Sequence, residues 1–123
     1  MPFAWRAFLD LAAELGARSD EAAWRTAIGR AYYAAVGTAY EALPPAERAA
    51  ITPGMYHTRT WLLYTMSSHR VCRRVGNLGH LLRQMRHECD YRASATIRDY
   101  DVRQALTYAR EAVALIDWHG YQP

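Results

Sequence analysis

Two short stretches of the chain gather side chains able to hold a phosphate or move a proton. The first is RAYYA, Arg30–Ala34. Adjacent residues on a helix diverge by about 100°. Tyr32 and Tyr33 therefore face different ways, one packing inward and the other presenting its hydroxyl beside Arg30. A tyrosine pair by itself is ordinary core packing. The second stretch is LLRQMRHECDYR, Leu81–Arg92. In it Arg83, Arg86, His87, Asp90 and Tyr91 recur at three- and four-residue steps, which brings most of them onto one helix face. Arginine grips a phosphate in bidentate fashion, histidine or tyrosine transfers a proton, and Asp90 is spaced to orient Arg86. The competing structural reading is an exposed helix laced by Arg–Asp and Arg–Glu pairs, each worth roughly a few tenths of a kcal/mol.

Other chemistries find no support. His57, His69, His80 and His119 are scattered. His80 and His87 stand about 10 Å apart along a helix, too far to share a metal, and no metal site is expected. There is no glycine-rich phosphate loop, no nucleophile elbow, no His-Glu-x-x-His and no Glu-x-x-His pair, so no cofactor is expected. The two cysteines, Cys72 and Cys89, lie about 25 Å apart if one helix carries both, which excludes a bond between them. Both read as reduced thiols.

All fifteen basic residues are arginine, a usage that reads mostly as GC-rich codons, and the net charge is +3. The placement is more informative than the sum. No acid occurs from Arg48 to His87, while seven Arg and four His fall there. Such polarity suits an anionic partner, nucleic acid being the commonest, against the alternative of a solvated basic face. No apolar run approaches the roughly 20 residues that span a bilayer. The start, MPFAWRAFLD, lacks the basic-then-apolar pattern of a secretory signal. A cytoplasmic protein without a membrane partner is expected.

The elements that must position these residues are helical. At 123 residues the chain fits one domain, 1–123. Apolar residues at helical spacing predict a helix over 3–15, with Gly16 as its stop. Ser19 or Asp20 caps a second helix reaching about Leu43, where Pro44-Pro45 ends it. Its alanine-rich stripe (Ala27, Ala31, Ala35, Ala39) lets a neighbour approach closely. One short helical turn fits residues 45–54, and a third helix fits 55–67. Val71, Val75, Leu78, Leu82, Met85 and Cys89 then form a bundle seam, weakened by Gly76 and Gly79 at roughly 1 kcal/mol each. A loop at 93–98 precedes a last helix over 99–118. The expectation is an all-α, antiparallel four- to five-helix up-and-down bundle.

Residues 20–43, DEAAWRTAIGRAYYAAVGTAYEAL, resemble the helix of small prokaryotic HEPN proteins built around a Ser-Arg-Ala-Tyr-Tyr-Ala core, with Gly29 in place of Ser. In MYHTRTWLLY, His57 stands where that branch often carries a histidine opening its next helix. Leu81–Arg92 is similar to the family's Leu-Arg-x-x-Arg-x-x-Ala-Asp-Tyr segment, with Cys89 at the alanine. The likeness runs through nearly the whole chain in order. It implies a HEPN-like bundle, a homodimer, and RNA or a nucleotide held in a basic cleft. Arg86, Tyr91, Asp90 and His57 would serve catalysis, and Arg30, Tyr33, Arg83 and His87 would bind nucleic acid. Catalytic members are metal-independent ribonucleases of toxin–antitoxin or defence systems, in which four to six intervening residues separate an Arg from a His. Here four intervening residues lead from Arg86 to Tyr91, so weak or absent cleavage is expected. A literal spacing does occur at Arg74 and His80, outside the aligned segment. The alternative is a non-catalytic interaction module for a nucleotidyltransferase or another operon-encoded partner.

Overall fold

Asp20 starts the helix around which the others assemble. Its backbone is extended and its carboxylate accepts the Ala23 N–H at 3.2 Å, satisfying a donor that the helix itself leaves free. The computed structural model describes residues 2–123 and contains six α-helices, with no strand among the described residues. They are α1 (Ala7–Gly16), α2 (Glu21–Glu41), α3 (Pro45–Ala50), α4 (Tyr56–Thr65), α5 (Arg70–Tyr91) and α6 (Asp99–His119). A 3-10 turn at Pro53–Met55 leads into α4. The expected all-α bundle is present. Its helix count exceeds four or five because the turn foreseen after the double proline is a six-residue helix, with Pro45 in its first turn where no N–H is needed.

Helix α2 is buried on nearly every side between Ala27 and Ala39. It packs against α1, α4, α5 and α6, and so forms the axis of the molecule. The alanine stripe accounts for part of this. Tyr32, Ala34 and Val36, off that stripe, are also buried, because a helix apolar all round belongs at the centre of its bundle. Helix α1 begins at Ala7, later than residue 3, since Ala4, Trp5 and Arg6 accept the first turn's N–H groups and Phe3 stays exposed. Gly16 closes α1 without a left-handed cap; a Cβ there would lie 2.7 Å from Val102 of α6, so close packing explains it.

The two seam glycines have the same explanation. A Cβ on Gly79 would fall 2.3 Å from the Trp61 ring, and one on Gly76 would fall 2.5 Å from Thr65. Their bare backbone lets α4 lie directly on α5, which outweighs the propensity cost. Both cysteines are buried, and neither forms a disulfide among the described residues.

Where α5 ends, Arg25 of α2 takes over its unsatisfied carbonyls. One terminal nitrogen donates to the carbonyls of Cys89 at 2.9 Å and Arg92 at 3.2 Å, and the other to Ala95 at 2.6 Å. Nε is held by Glu21 at 3.0 Å, and the second Glu21 oxygen accepts the Ile97 N–H at 3.2 Å. A cation at a helix C-terminus also opposes the negative end of its dipole. One arginine thereby ties the 92–98 loop to the central helix.

Three stability measurements test this packing. Arg25→Met should cost about 2–3 kcal/mol in urea unfolding at unchanged helical circular dichroism, because several charge-assisted bonds go at once. Gly29 is buried with nothing within 4 Å of a Cβ, so Gly29→Ala should stabilise by about 0.5–1 kcal/mol. Gly79→Ala should destabilise by about 2 kcal/mol or more.

Candidate nucleic-acid interface

The site is built outward from the core. Trp61 and Tyr32 are both fully buried, and the indole Nε1–H donates to the Tyr32 hydroxyl at 3.1 Å. That hydroxyl lies 2.7 Å from Nδ1 of His57, in the first turn of α4. The Tyr32 and His57 rings stack at 5.5 Å, and Tyr33 and Tyr56 meet the imidazole edge-on at 5.9 and 5.2 Å. Of the tyrosine pair, Tyr32 turns inward and Tyr33 is half-buried at the surface.

Three arginines surround this aromatic group. The Arg86 guanidinium sits 5.4 Å from the Tyr32 ring centre and 5.7 Å from that of Tyr33. Arg30 approaches the Tyr33 ring to 5.2 Å and the Phe8 ring to 4.8 Å. Cations over ring faces gain roughly 0.5–2 kcal/mol, more as water is excluded. Arg83 donates to the Thr58 hydroxyl at 3.2 Å. Among the described residues only one carboxylate pairs with any of them: Asp90, which accepts from Arg86 at 2.9 Å. Among the described residues Arg30 forms no ion pair. The Nε atoms of Arg30 and Arg86 are buried with no hydrogen-bond partner.

Titration follows from this setting. Burial pushes the Tyr32 hydroxyl up to about 12, outweighing the Trp61 hydrogen bond that favours its anion. Burial, then the charges of Arg86 and Arg83, hold His57 below its ordinary 6.5, so it is neutral at pH 7. The buried Tyr32 hydroxyl accepts from Trp61, which leaves its own hydrogen for Nδ1 of His57. The proton of the neutral ring then resides on Nε2, which makes that nitrogen a donor.

The expected helix face of α5 divides in two. Arg83, Arg86 and Asp90 turn toward the aromatic group with Arg30, Tyr33 and His57. His87 and Tyr91 pair with each other, ring centres 4.9 Å apart, and Tyr91 is 67% exposed. His87 borders a groove with Met85 and Tyr108. One residue step rotates a side chain by about 100°, enough to carry His87 off the Arg86 face and Tyr91 off that of Asp90. The structure does not bring Tyr91 or His87 into the cluster. Arg74 is engaged by Glu111 at 2.7 and 3.0 Å, away from this site. Trp61, Phe8 and Thr58 were missed by the sequence reading. For Trp61 a signal existed, because it follows His57 by four residues and so shares its face. Compared with protein-family models, curated proteins and solved structures, the chain matches none.

In an NMR titration His57 should show a midpoint below 6.5. Arg86→Gln should raise that midpoint only in part, because burial remains. Between 6.5 and the lower folded midpoint the unfolded chain binds more protons, so His57 makes stability fall as pH falls through that window. A midpoint at or above the ordinary value would contradict the packing assigned to His57.

Proposed function

We propose that the chain is a HEPN-type domain that binds RNA through Arg30, Arg83 and Arg86 and cleaves it slowly, without metal. The observation that carries the reading is the charge balance around His57: of three guanidiniums, only that of Arg86 pairs with a carboxylate among the described residues, while Arg83 bonds the Thr58 hydroxyl and Arg30 lies over Tyr33. A phosphate supplies acceptors that the protein leaves wanting, with Asp90 keeping Arg86 oriented and the Nε2–H of His57 donating to a phosphate oxygen. Tyr33, between Arg30 and Arg86, offers a surface for a base.

Strand cleavage of this class has the ribose 2′-hydroxyl attack the adjacent phosphorus while its proton leaves to a base. The 5′-oxygen departs with a proton, leaving a 2′,3′-cyclic phosphate. As base, His57 must present a lone pair at Nε2. That requires the other tautomer, and the Tyr32 hydroxyl hydrogen then loses its acceptor in a buried site, at a cost of about 1–3 kcal/mol. The network therefore favours binding over rapid turnover. The resemblance adds a homodimer with the cleft facing the second copy, and a toxin–antitoxin or defence setting. A second reading draws on the Arg86–Asp90 pair, which lies four residues apart within one helix and fits a structural tie. On it the domain is an interaction module for a nucleotidyltransferase or another partner.

Fluorescence anisotropy with a labelled single-stranded RNA in EDTA separates the two. Three phosphate contacts predict that affinity falls roughly 20-fold between 50 and 200 mM salt. Arg30→Gln should weaken binding several-fold and reduce the salt slope by about 0.7. Tyr91→Phe, away from the cluster, should change affinity less than about twofold. Absence of salt-sensitive binding would discard the RNA reading in favour of the interaction module.

A further inference from the structure

Beside the arginine cluster, between the end of α2 and the start of α4, lies an open cleft of about 490 Å³. It is lined by Trp5, Tyr40, Tyr56 and Ile51, together with the half-buried Tyr33 and His57 and the exposed Glu41. Trp5 is seated by Gly37, where a Cβ would fall 2.2 Å from the indole ring. The Tyr40 and Tyr56 rings lie 4.8 Å apart. A cleft of flat aromatic surfaces receives a flat aromatic ligand, and unstacked RNA bases bind in this manner. Because His57 belongs both to this cleft and to the arginine cluster, a base lodged here directs its own phosphate toward Arg86 and Arg83.

Glu41 decides which base. It is the one charged group among the cleft residues, and it raises the Tyr56 hydroxyl beyond what burial alone does, which places its charge near that wall. Arg48 approaches the carboxylate only to 3.9 Å and spends its hydrogen bond on the Glu41 backbone carbonyl, at 2.8 Å. The carboxylate oxygens thus remain acceptors. Guanine alone presents two adjacent donors, N1–H and the N2 amino group, matching two carboxylate oxygens. Adenine and cytosine pair one amino group with a ring nitrogen that repels a carboxylate, and uracil flanks its single N–H with carbonyls.

We infer that this cleft is a guanine subsite, with the base stacked on the aromatic walls and its Watson–Crick edge on Glu41. The inference rests on the RNA reading for its place beside the phosphate site, but it can be tested apart from it. Calorimetric titration would compare 3′-GMP with 3′-IMP, 3′-AMP, 3′-CMP and 3′-UMP. In parallel, an oligouridylate decamer would be compared with one carrying a single central guanosine or inosine. The expected result is a guanine preference of at least about tenfold, largely lost with inosine, which lacks only the N2 amino group. Glu41→Gln, checked for fold by circular dichroism, should compress the preference to within about twofold. Salt-sensitive binding of oligouridylate without guanine preference would overturn the subsite and leave the RNA reading standing. Preference for free GMP without RNA binding would support the subsite and point to a free nucleotide as ligand. Binding of neither nucleotide nor RNA would overturn both.

Discussion

A phenol with no accessible surface must find its hydrogen-bond partners inside the protein, and the Tyr32 hydroxyl finds them on α4. Its acceptance from Trp61 and its contact with His57 join the central helix to α4 through atoms that water cannot replace. Trp61 reaches that position because Gly79 lets its indole lie against the α5 backbone. The location of His57, its tautomer and its distance from Arg86 all descend from this contact. A polar network this deep is costly when partly satisfied, so it confines the three helices to one arrangement.

Much of the helical layout was legible because its signals are local. Asp20, the double proline and the four-three spacing of Val71–Cys89 act through neighbours in the chain. The place where α5 ends was legible too, but what satisfies its carbonyls was not: they are met from α2 by Arg25, more than sixty residues earlier. Gly76 and Gly79 read as weaknesses of a helix because their benefit lies in another helix. Propensity counts only what a residue costs its own segment.

For the site, the residue types were legible and their partition was not. Tyr32 and Tyr33 were expected to diverge, but which turned inward depends on Trp61 and His57, twenty-five and more residues away. The acid-free stretch was an imperfect guide. Arg30, at the centre of the cluster, lies outside it, whereas Arg74, within it, is neutralised by Glu111 from α6. Linear charge runs do not record which helices face each other.

The central placement of α2 also bears on how the chain is made. Helix α2 packs against α6, which lies some sixty residues downstream of its end. A nascent chain therefore exposes part of an apolar helix until α6 has left the ribosome, at about 5–20 residues per second. For those seconds α1, α4 and α5 cover the rest of it, and the side meant for α6 is open to any other apolar surface. Folding yield in the cell then depends on the speed of translation from α5 through α6 and on chaperones that shelter α2.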